Sequence, residues 1–166
     1  MSMPVAVVTA SLAALLETSV LSELSIAGAK PDLVFVLAIV FAMVVGFDEA
    51  VALALVGGLL IDALTGRPLG ATALAMLVVT GISALISRLA RSPRSVTVGI
   101  ATFVLSWPFQ ALLLAILGIT AGIGMAPIPV QAFLVIAMMN SLMALAAAHV
   151  TQALYRRFGG VEGLEW

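Results

Sequence analysis

GGLLIDALTGRPLG, residues 57–70, decides how this chain reads. The stretch leaves an apolar helix through Asp62, breaks at Gly66, passes Arg67-Pro68 and opens a second apolar helix at Gly70. Gly and Pro at this spacing end one helix and begin the next. Upstream, Ala50, Ala54 and Gly58 precede Asp62 at four-residue steps, which places all four on one helix face. A row of small residues lets a second helix approach closely, a common device for helix association in lipid. Ala50, Ala54, Gly58, Asp62 and Arg67 are therefore the first candidates for contact with a partner. Two readings of the charged pair stand side by side. Either Asp62 and Arg67 anchor a partner or the outer loop, or they form a salt bridge that only fixes the turn.

The rest of the chain explains why an acid here is informative. Of 166 residues, 63% are hydrophobic and 9% charged, with a mean hydropathy of +1.28. So few charges cannot cover the outside of a soluble core, and the composition is that of an integral membrane protein with a single domain over 1–166. The chain has no cysteine, which excludes disulfides and thiolate-bound metals or clusters. A net charge of -1 without a basic run offers nothing to nucleic acid.

Hydrophobic runs and breakers predict six helices, over 3–24, 31–46, 49–64, 69–88, 95–120 and 130–154. The first run is followed by Ala27-Gly28-Ala29, which mimics a signal-peptidase site. No Lys or Arg precedes the run, however, and Glu17 interrupts it, so a retained helix is expected. Pro31 fits a first helical turn, and Asp32 complements the positive end of that helix. Arg88, Arg91, Arg94, Arg156 and Arg157 fall on one side of the expected bundle, against Lys30 and Arg67 on the other. That imbalance predicts cytoplasmic N- and C-termini. No internal repeat is visible, which argues against an inverted-repeat transporter.

The polar residues fall in two layers. Glu17, Glu23, Lys30, Asp32, Asp62 and Arg67 gather at the outer side, and Asp48 and Glu49 join the arginines at the inner side. A charge near the bilayer centre costs about 2.5–3.5 kcal/mol, so such groups face the bundle interior or find partners. Glu17 either pairs with a basic residue, its own Arg67 or a partner's, or reaches to the outer interface. Gln110, Gln131 and Asn140 lie within spans, where amides tie helices together or line a pocket. Trp107-Pro108 marks a kink. His149 lacks a second ligand at metal-binding spacing. No nucleophile elbow, paired-aspartate motif or phosphate loop is present, so no catalytic residue, cofactor or metal site is assigned and the chain is read as a non-enzyme.

Lys30-Pro31-Asp32-Leu33, a short hydrophobic hairpin, and then the segment from Gly57 to Gly70 with Asp62, Gly66, Pro68 and Gly70 resemble the MreD family of rod-shape-determining membrane proteins. The strong part of the likeness covers roughly residues 30–88. It implies structural roles for Pro31, Asp32, Gly66, Pro68 and Gly70. It also implies a scaffold of the bacterial elongation machinery in the cytoplasmic membrane. Such a scaffold binds MreC through its transmembrane and juxtamembrane region. With it, MreB filaments are linked indirectly to RodA and a class B penicillin-binding protein. The family's bundle is similar to the substrate-binding subunits of energy-coupling-factor transporters, which supplies the alternative function, a vitamin-type transporter subunit. On the scaffold reading, Ala50, Ala54 and Gly58 line a lateral groove for one helix. On the transporter reading, Glu17, Asp62 and Gln110 wall a closed outer pocket.

Overall fold

The computed structural model describes residues 3–19, 30–89, 95–121 and 130–158. They form six helices: α1 (Met3–Ser19), α2 (Leu33–Val40, continued by a π-helical turn over Phe41–Val45), α3 (Phe47–Thr65), α4 (Ala71–Leu89), α5 (Ser95–Ala121) and α6 (Val130–Phe158). The latter part of the first expected span, Glu23, Ala27-Gly28-Ala29, Arg91, Arg94 and the 122–129 connection lie outside the described residues.

Helix α2 is the hub. It touches all five other helices, which follow one another around it in the order α1, α3, α4, α5, α6. Its sequence, LVFVLAIV, is apolar on every face, as a helix enclosed by others must be. Val34, Phe35, Val36, Ala38, Ile39 and Val40 are all buried. Helices α4, α5 and α6 contain apolar stretches long enough to cross a membrane, Ala71–Leu89, Ser95–Thr120 and Val130–Ala153. Helix α3 is as long as α4, but carries Asp48 and Glu49 in its first turn and Asp62 near its last. The apolar runs of α1 and α2 are shorter.

The expected boundaries shift where local chemistry intervenes. Helix α3 begins at Phe47 rather than 49, so Asp48 and Glu49 belong to its first turn, where negative charge offsets the helix dipole. Helix α2 begins at Leu33, leaving Pro31 two residues ahead of it rather than in its first turn. It ends in a π-helical turn closed by the Gly46 N–H on the Phe41 carbonyl (2.9 Å). The wider winding leaves the Met43 carbonyl available to the Ser87 hydroxyl of α4 (3.1 Å). Helix α5 runs unbroken through Pro108.

Candidate functional site

The turn between α3 and α4 assembles from its own sequence. Gly66 closes α3 in the left-handed region (φ 68°), where glycine carries no Cβ penalty. The Arg67 N–H then donates to the Asp62 carbonyl (3.0 Å) and the Ala71 N–H to the Pro68 carbonyl (3.1 Å). Gly70, at φ 95°, occupies the position that precedes α4, its carbonyl accepting from the Leu74 N–H (2.8 Å). A glycine suits that φ but brings no side chain to cap the helix. Asp62 takes over that role from α3. Its carboxylate accepts from the N–H groups of Gly70 (2.9 Å) and Thr72 (3.0 Å), and it is fully buried. The expected Asp62–Arg67 bridge is replaced by these backbone hydrogen bonds, and Arg67 itself is exposed.

A second carboxylate starts α2. The Glu17 carboxylate of α1 accepts from the Val34 N–H (2.8 Å), with the Leu33 N–H also directed at it. Asp32 stands at the capping position of α2 yet makes no cap hydrogen bond with its side chain. Its carboxylate points across the bundle, accepting from Gln110 Nε2 of α5 (2.9 Å) and Asn140 Nδ2 of α6 (3.2 Å). Asn140 returns the contact, its Oδ1 accepting from the Asp32 N–H (2.9 Å). Arg67 lies near enough to Glu17 and Asp32 for its charge to act on both. At 1.5 Å per residue, Asn140 and Gln110 sit about 15 Å inside the ends of α6 and α5. The junction is partly enclosed: Asn140 is fully buried, while Asp32 and Gln110 are half-buried.

The row of small residues is also turned inward. Ala50, Ala54, Gly57 and Gly58 are buried, and α3 packs along both α1 and α4. A Cβ built on Gly58 would lie 2.5 Å from the Ala73 Cα, so the α4 backbone lies directly against it. At Gly58 the helix admitted is the chain's own α4.

Gln110 and Asn140 stood out in the sequence as amides within apolar spans, but their shared partner did not. Gln131 and His149 are exposed on α6. The Thr72 hydroxyl oxygen is buried without a hydrogen-bond partner, although the Thr72 N–H beside it is bound by Asp62. Glu17, Asp62 and Gln110, the expected walls of a pocket, are each engaged in hydrogen bonds, Glu17 and Gln110 at the start of α2 and Asp62 at the α3–α4 turn. The arrangement has the chemistry of a set of staples: acceptors matched to main-chain and amide donors at helix ends.

Comparison with known proteins gives one result. A family model described as rod shape-determining protein MreD matches residues 2–157. No curated protein and no solved structure matches the chain. The match runs through all six helices and includes the Pro31-Asp32 and Asp62-to-Gly70 segments just described, and on that ground the chain belongs to the MreD family of rod shape-determining membrane proteins.

Proposed function

We propose that this protein is a non-enzymatic scaffold of the bacterial cell-elongation machinery. It sits in the cytoplasmic membrane as a six-crossing bundle with both termini in the cytoplasm. It binds MreC through that protein's transmembrane helix and juxtamembrane region, and with it helps couple MreB filaments to RodA and a class B penicillin-binding protein.

One observation supports this reading above others. Glu17, Asp32 and Asp62 all act in holding helices to one another, through backbone N–H groups or amides. Charges used in this way build a frame rather than a reaction centre. Since Ala50, Ala54 and Gly58 lie inside that frame, the partner helix meets outward apolar faces instead, where side chains such as Leu12, Leu16 and Leu142 are exposed. In lipid such faces associate by packing and by polar contacts at the membrane surfaces.

Co-expression with MreC and purification in mild detergent tests the proposal. MreC is expected to remain bound through purification, and depletion of the chain is expected to turn rods into rounded cells. If MreC washes away while a small molecule stays with the purified protein, the scaffold reading fails in favour of the transporter subunit.

A further inference from the structure

The close contacts of the bundle sort into two groups. In the first, Gly58 backs onto Ala73, and Gly57 onto Val34 and Ala10, joining α3 to α4, α2 and α1. In the second, Gly99 lies against Leu145, joining α5 to α6. Hydrogen bonds follow the same division. Glu17 to Val34, Asp62 to Gly70 and Thr72, and Ser87 to Met43 stay within α1–α4. Ser141 to the Gly99 carbonyl (2.9 Å) and Ser95 to Gln152 (3.0 Å) stay within the α5–α6 hairpin.

Among the described residues, three hydrogen bonds cross between the groups, and each has Asp32 at one end. Beneath them Phe35 of α2 stacks on Phe109 of α5, with ring centroids 4.5 Å apart. Among the described residues, the hairpin otherwise meets the remaining helices by side-chain packing along α2, its π-helical turn and α4. In lipid an apolar side chain that leaves such a surface finds acyl chains equally apolar, so little holds it there beyond packing. A carboxylate and two amides that separate lose charge-assisted hydrogen bonds that acyl chains cannot replace. The polar contact therefore dominates the choice between closed and open.

We propose that the molecule is two rigid bodies, α1–α4 and the α5–α6 hairpin, closed on each other by a polar latch at Asp32. Freeing Asp32 from Gln110 and Asn140 lets the hairpin swing away from α2. This latch is a property of the bundle and holds whichever protein binds outside it.

The chain has no cysteine, so nitroxide pairs can be introduced at will and their distances measured by electron spin resonance in the full chain in lipid nanodiscs. Leu69→Cys with Ile119→Cys, both highly exposed, reports across the joint. Ile119→Cys with Val130→Cys reports within the hairpin, and Val8→Cys with Leu69→Cys within the other body. Asp32→Ala is expected to lengthen and broaden the distribution across the joint while leaving both internal pairs unchanged. Gln110→Ala combined with Asn140→Ala releases the latch from the opposite side with Asp32 in place, and is expected to do the same. That second variant carries the test if Asp32→Ala fails to accumulate. An across-joint distribution unchanged in the variants overturns the proposal. Equal broadening of all three pairs overturns it too, because Asp32 would then support the whole fold rather than a joint.

Discussion

Helices α2 and α4 each begin under a carboxylate that belongs to another helix, but the two arrangements differ in reach. Asp62 caps α4 from within one helical hairpin, across a turn whose glycines and proline set the path. Glu17 caps α2 from α1, and the acid that stands next to those N–H groups in sequence, Asp32, is drawn away to α5 and α6. A short-range cap does one thing, which is to end one helix and start the next. Exchanging the near acid for a distant one does two. It starts α2 and leaves Asp32 available to join the halves of the molecule.

The largest effect is expected at Asp62. Asp62→Ala leaves the N–H groups of half-buried Gly70 and buried Thr72 without an acceptor, and is expected to destabilise the bundle by about 3 kcal/mol. Unfolding in a detergent–denaturant titration followed by circular dichroism measures this. A loss well below 1 kcal/mol would mean that other groups cap α4. Glu17→Ala is the matched experiment on α2. Its expected cost is smaller, about 2 kcal/mol, because Asp32 lies beside the same helix end and is able to turn back toward it. A cost exceeding that of Asp62→Ala in the same titration would show that no such substitution between acids takes place. Arg67→Ala comes last, at about 0.5 kcal/mol or less, since Arg67 is exposed and Asp62 is already bonded to the backbone. A loss comparable to that of Asp62→Ala would restore the salt bridge as the element that fixes the turn.

What the sequence disclosed follows the same division between near and far. Six helices were legible because apolar runs and Gly or Pro breaks are local signals, and Gly66, Pro68 and Gly70 marked their turn for the same reason. That Asp62 serves this turn was also within reach, although Arg67 was the nearer charge and the backbone N–H groups proved the better match. The distant partners of Asp32 were not legible, because an acid before a helix announces only the start of that helix. Nothing within a few residues announces that Glu17 has taken that place or that Asn140 waits 108 residues further on. The Ala50, Ala54 and Gly58 row taught a related lesson. Periodicity states which face of a helix is small, but whether that face receives the chain's own α4 or a foreign helix is decided by packing that the pattern does not contain.

The caps also impose an order on biosynthesis. Glu17 and Asp62 each leave the ribosome before the N–H groups that they will bind. When α2 and α4 are made, an acceptor for their first turns is already present in the preceding helix, and each hairpin can settle in turn. Asp32 has the opposite history: it is synthesised early, but Asn140 belongs to the last helix of the chain. The contact between the two halves is therefore the last polar joint to close, and a chain truncated before α6 would carry its central acid without the amide that completes it.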